Sequence, residues 1–208
     1  MNESPHLIRL GPHELAHLID LHGGDIDESL RPYSYWTVTG NAVQDSISKQ
    51  MVLAFGLDHI IISADRPKDP NASRYLENTA STRGKPSITA EAGHAGTTDT
   101  DDIGALVGGC VNVMRYLRIL PGVAPVIENP VWIEKAIAVP SEQTGIFYPL
   151  VARGRYVEAG MKVGYITDYT GRVIAEPRAP EAGVVLFIRA VPSLTKGETV
   201  VSIGVVRK

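Results

Sequence analysis

Residues 13–25 (HELAHLIDLHGGD) can be a helix or a strand, and each version excludes the other. As a helix, His13-Glu14-Leu15-Ala16-His17 fits H-E-x-x-H. Two histidines one turn apart then hold zinc, and the glutamate stands beside the metal-bound water. As a strand, His17 to Leu21 is an apolar run buried on both faces and stopped by Gly23-Gly24. His22 is then delivered to the carboxyl end of a strand, where ligands bind in open α/β sheets. Neutral imidazole is a zinc ligand, and Asp20 or Asp25 can orient its second nitrogen. The strand version is favoured. Pro12 would put His13 in the first helical turn, with only residues 1–12 ahead of it. The longer metzincin pattern also fails, because Asp20 stands where glycine is needed and Gly23 where the third histidine is needed. His13 and His17 stay as the alternative metal pair.

Downstream, residues 31–39 are aromatic and β-branched and read as a second strand. In residues 41–55, Val43, Ile47, Met51 and Phe55 form an i, i+4 stripe, which predicts an amphipathic helix closed by Gly56. A buried strand over 59–62, a helix over 74–83 and a strand over 86–91 follow, then a small-residue turn over 92–96. Residues 99–120 carry acids at the start and arginines near the end, which suits a helix dipole. This alternation predicts an α/β layer domain over residues 1–125. From Val131 the pattern changes to short strands and glycine turns. A weak duplication runs through it. Gly145-Ile146-Phe147 leads to Val157, Val163 and Ile166, and Gly183-Val184-Val185 leads to Val200 and Ile203. Two hairpins folded on each other predict a small all-β sandwich or barrel over residues 126–208.

Composition excludes several functions. The chain has 208 residues, 44% hydrophobic and 21% charged, enough for real cores. Its net charge is −3 and its basic residues are scattered, so no nucleic-acid footprint is expected. No apolar run is long enough for a bilayer, so no membrane span is expected. No signal peptide is visible, and the single Cys110 excludes an internal disulfide framework, so the expected location is the cytoplasm. Cys110 follows Gly108-Gly109 in an apolar stretch and reads as a structural thiol.

Asp20-Leu21-His22-Gly23, followed by Pro86-Ser87-Ile88-Thr89-Ala90-Glu91-Ala92-Gly93, resembles the succinylglutamate desuccinylase/aspartoacylase family, a branch of the zinc carboxypeptidase-like hydrolases. The Gly-Ile-Phe start and final Gly-Val-Val of the tail resemble the family's second domain, a barrel-sandwich hybrid. The resemblance extends from about Leu18 to Ile203. It implies a partial carboxypeptidase-like α/β domain followed by the all-β domain. It also implies one zinc ion and hydrolysis of an amide bond in a small N-acylated amino acid-like substrate. His22 corresponds to the third zinc ligand. Glu91 corresponds to the carboxylate that takes a proton from metal-bound water and passes it to the leaving nitrogen. The family draws its first two ligands from an upstream H-x-x-E motif, with an Arg-rich segment before the D-x-H-G strand. Residues 1–21 have room for neither. An incomplete family member is therefore expected, holding zinc weakly or not at all.

Around that centre, His94 is a pocket candidate, and Arg74 and Arg83 are candidates for a substrate carboxylate. Trp36, Tyr33 and Tyr35 are candidate walls. A biotinyl/lipoyl-type carrier role fails, because Asp168-Tyr169-Thr170-Gly171-Arg172 has no lysine at the hairpin tip and the next is Lys196. A non-catalytic remnant, paired with itself or another chain through a sheet edge, is the second reading. An H-E-x-x-H zinc peptidase is the third.

Overall fold

The computed structural model describes residues 16–207. Its first strand is β1 (Leu18–His22), followed by β2 (Glu28–Thr37), helix α1 (Ala42–Phe55) and β3 (His59–Ser63). A single 3-10 turn (Pro70–Ala72) and helix α2 (Leu76–Ser81) lead to β4 (Ser87–His94) and helix α3 (Thr100–Tyr116). Everything after that is β: β5 (Val131–Pro140), β6 (Gly145–Pro149), β7 (Tyr156–Val157), β8 (Gly164–Thr167), β9 (Val173–Ala175), β10 (Gly183–Arg189), β11 (Ser193–Leu194) and β12 (Thr199–Val206).

Eight strands form one sheet in the order β1-β4-β2-β3-β5-β12-β10-β7. A further ladder joins β10 to β2, with Phe187 opposite Leu30. That ladder closes β2, β3, β5, β12 and β10 into a five-stranded barrel. The core cluster of Leu30, Tyr33, Ile61, Ile133, Val184, Leu186 and Phe187, with Val206 packed against it, draws on all five strands. Strands from both sides of residues 121–130 therefore share one sheet. A second core, built on Met51, Phe55, Ile60, Ile88 and Val113, lies between the sheet and helices α1 and α3.

The third core packs the four-stranded sheet β11-β6-β8-β9 against β10 and β12. Here the sequence duplication has a physical counterpart. A Cβ on Gly145 would strike the Thr167 carbonyl and crowd the Ile166 side chain, and one on Gly183 would strike the Gly204 carbonyl and crowd Ile203. Each repeat starts where a strand passes so close to its antiparallel partner that only glycine fits.

Local chemistry explains the helices. Asn41 caps α1 by accepting from the N–H groups of Val43 and Gln44. Gly56 closes it at φ 99°, a left-handed position. The expected stripe is right from Ile47 onward, but Val43 is 70% exposed. The first turn instead buries Gln44, whose amide donates to the carbonyls of Ser81 and Lys85. Two expectations about strands need correction. β1 is not buried on both faces: it pairs only with β4 among the described residues, and its last two residues are exposed. β4 does not end at Glu91 but continues through His94, and the turn is confined to Ala95 and Gly96, both with positive φ. No helix among the described residues is long and apolar enough to cross a membrane.

Candidate active site

β1 and β4 run parallel, and their register sets His22 directly beside Glu91 at the carboxyl ends of both strands. On the other side of β4, β2 runs antiparallel and sets Tyr33 opposite Glu91. The Tyr33 hydroxyl donates to Glu91 Oε2 at 2.6 Å. Asp20 lies two residues before His22 on the same strand face. Its Oδ1 is 3.5 Å from His22 Nε2, so Asp20 rather than Asp25 faces the imidazole. Asp25 sits in the following turn, where its N–H donates to Glu28 Oε2.

Burial holds the Glu91 carboxyl above the usual carboxylate range. The Tyr33 hydrogen bond and His22 pull it back, while Glu28 and Asp20 push it up. The neighbouring phenols respond to the same environment. Burial, aided by the charge of Glu91, pushes Tyr35 up to about 12 and raises Tyr33 as well.

A cleft of about 560 Å³ opens over these strand ends, lined by Asp20, His22, Tyr35, Thr89 and Glu91 on the sheet side. Asp65, Arg74 and Tyr75, from the segment between β3 and α2, and Glu77 and Asn78, from the first turn of α2, form the facing wall. Glu77 is 7% exposed and accepts from Ser87 Oγ at 2.9 Å. Asn78, with its amide nitrogen turned toward Glu77 Oε2 at 2.9 Å, holds the other oxygen. A smaller cavity of about 250 Å³ shares His22 and Glu91 and is floored by Gly23, Gly24 and Glu28.

Of the expected site residues, His22 and Glu91 come together. Arg74 and Tyr35 line the cleft. Arg83 does not: it lies in the turn after α2 and donates back to the Thr79 carbonyl of that helix. His94 is exposed at the end of β4 and lines neither cavity. Trp36 packs edge-on against Trp132, with Lys49 Nζ 5.2 Å from each ring. Cys110 is half-buried, and burial raises its thiol. Tyr33 has a role the sequence did not suggest, as the anchor of Glu91. Pro32 was the available signal, because proline inside a strand marks a bulge. β2 has two residues, Arg31 and Pro32, between the pairs Leu30–Gly93 and Tyr33–Glu91, where β4 has only Ala92.

His13 and Glu14 lie outside the described residues. His17 is described, leads into β1 in non-helical backbone, and stands at the opposite end of that strand from His22. Five steps of extended backbone separate the two by roughly 16 Å, too far to share one ion. A catalytic zinc needs three protein ligands and an open position. Among the described residues no three His, Cys, Asp or Glu side chains are grouped to hold a metal. The described residues thus do not fit a catalytic zinc by themselves.

No protein-family model matches the sequence, and no curated protein matches it. Solved structures do. The product-bound ectoine utilization protein EutE (DoeB) from Ruegeria pomeroyi aligns with a TM-score of 0.80 at 20% identity, over 90% of this chain and 57% of that one. A succinylglutamate desuccinylase/aspartoacylase from Rhodobacter sphaeroides aligns at 0.79 and 17% identity, over 95% of this chain and 60% of that one. A succinylglutamate desuccinylase from Silicibacter sp. gives 0.81 and 20%, over 94% and 60%. The chain has the succinylglutamate desuccinylase/aspartoacylase fold. It spans about 60% of the length of these structures. Within that fold, the strand ends carrying His22 and Glu91 form the floor of the cleft.

Proposed function

We propose that the chain belongs to the succinylglutamate desuccinylase/aspartoacylase family and carries the proton-handling part of a deacylase centre. The reaction is hydrolysis of an amide bond in a small N-acylated amino acid-like substrate. The observation that carries this reading is the register pairing of His22 with Glu91 at the mouth of the 560 Å³ cleft.

Glu91 acts as general base and then as general acid. It takes a proton from water as the oxygen attacks the acyl carbon, then gives that proton to the nitrogen as the C–N bond breaks. A carboxyl that burial holds above its usual range gives up and takes back a proton more evenly than an ordinary carboxylate does, which suits both halves. With Oε2 held by Tyr33, Oε1 is left to exchange the proton. Arg74, on the facing wall, is the guanidinium available to a substrate carboxylate. The family's zinc, when bound, polarises the acyl carbonyl and lowers the pKa of its water. His22 is the one described residue that stands at a ligand position of the resemblance, and no step here depends on the metal.

The test is turnover of a panel of N-acyl amino acids, with metal content measured on the same samples. Glu91→Gln is expected to lower kcat/KM by about 10²- to 10⁴-fold. Full activity in that variant overturns the assignment. Zinc lost on His22→Ala but kept on His13→Ala supports the family site, and the reverse favours the H-E-x-x-H peptidase. No turnover and no bound metal in the unmodified chain favours the non-catalytic remnant.

A further inference from the structure

A second buried charge lies behind the site and takes no part in that chemistry. Asp102, in the first turn of α3, has a side chain only 5% exposed. Its cation is Arg153, which reaches it from the turn between β6 and β7 at 2.8 Å. The same guanidinium nitrogen also donates to the carbonyl of Leu30 at 2.7 Å and to that of Gly93 at 3.1 Å. Leu30 and Gly93 are the last regular pair before the β2 bulge, and the next pair is Tyr33–Glu91. Arg153 therefore grips both strands at the base of the bulge. A bulge re-aims the side chains beyond it. This one brings Tyr33, three residues on, into the same core as Leu30 while its hydroxyl reaches Glu91.

We infer that Arg153 is a positioning residue: by pinning the Leu30–Gly93 pair it fixes the bulge that aims Tyr33 at Glu91, so that the β6–β7 turn governs the geometry of the catalytic carboxylate. A buried ion pair contributes little to stability against an apolar replacement and is often kept for the geometry it imposes. The catalytic significance rests on the deacylase reading, but the geometric role does not.

The experiment labels tyrosine with ¹³C at Cζ and follows Tyr33, assigned with Tyr33→Phe, in the full chain without substrate. Glu91→Gln defines the resonance position when the carboxylate partner is gone. Arg153→Met and Asp102→Asn are expected to move Tyr33 at least halfway to that position, and Arg153→Lys is expected to stay nearer to the unmodified chain. An unmoved Tyr33 in folded Arg153→Met overturns the inference, and so does loss of the fold in all three variants, because the pair is then merely structural. If Arg153→Met alone fails to fold, Asp102→Asn and Arg153→Lys carry the same comparison. An unmoved Tyr33 in a chain that turns over substrate sinks only the positioning role. A moved Tyr33 in a chain without turnover sinks only the deacylase reading.

Discussion

Gly23 and Gly93 meet backbone to backbone behind the site, yet substitution should affect them in opposite ways. A Cβ on Gly93 would overlap the Gly23 carbonyl carbon and oxygen, and main chain cannot swing aside as a side chain does. A Cβ on Gly23 meets nothing within 4 Å. Gly93→Ala is therefore expected to cost about 1–3 kcal/mol, as overpacking does, and to push the His22 and Glu91 strand ends apart. Gly23→Ala is expected to stay within about 0.5 kcal/mol. Urea denaturation of both variants checks this, and equal losses would contradict it. At this scale the sequence was legible in placement, since His22 and Glu91, expected at neighbouring strand ends, are paired there by the β1–β4 register. It was not legible at Tyr33, whose hydroxyl finds Glu91 only because a bulge shifts β2 by one residue against β4. Asp20 falls between these cases. The sequence offered Asp20 and Asp25 alike as partners of His22, and the choice between them depended on where the strand ends.

The helices were read from periodicity, end charges and closing glycines, and the error in α1 has a plain cause. The first turn of α1 is held by hydrogen bonds rather than by apolar packing. Asn41 caps it, Gln44 donates to the carbonyls of Ser81 and Lys85, and one turn on Ser48 Oγ accepts from the Ser87 N–H. A hydrophobic count cannot see such contacts, which is why Val43 was placed on the buried face. The cap makes a direct prediction. Asn41→Ala removes the acceptor for two amide groups and is expected to destabilise by about 0.5–2 kcal/mol, whereas Asn41→Asp, which keeps an acceptor oxygen, stays close to the unmodified chain. Thermal unfolding of the two variants separates them, and equal losses would mean that the helix start is fixed by tertiary contacts alone. β1 shows the converse limit. Its apolar run suggested two buried faces, but burial follows the neighbours a strand has, and β1 pairs only with β4 among the described residues.

On the scale of the whole molecule, the barrel could not be foreseen, because it closes between strands far apart in sequence and of different apparent class. The change of pattern after residue 121 is real, yet β5 continues the ladder of β3 and β10 returns to β2. One buried histidine ties these parts together. His59, 3% exposed at the start of β3, receives the Arg31 Nε–H on Nδ1 at 3.0 Å and faces the Tyr156 hydroxyl through Nε2 at 3.0 Å. Asp58 Oδ1 also lies 3.0 Å from Nδ1, so the ring sits between the Arg31 guanidinium and the Asp58 carboxylate. Burial lowers the His59 pKa, with the Arg31 charge adding to it and Asp58 opposing. The sign follows. The folded chain resists a proton that the unfolded chain accepts near pH 6.5, so the stability from His59 is present above that pH and lost as pH falls through the lowered folded value. Glu91, raised in the fold, acts in the opposite sense and blurs the raw pH curve. The informative quantity is the difference in unfolding free energy between the unmodified chain and His59→Gln. That difference is expected to shrink as pH is lowered from 7 to 5. A difference independent of pH across that window would mean that His59 is not held neutral, and the link it makes between β2, β3 and β7 would then have to be ionic.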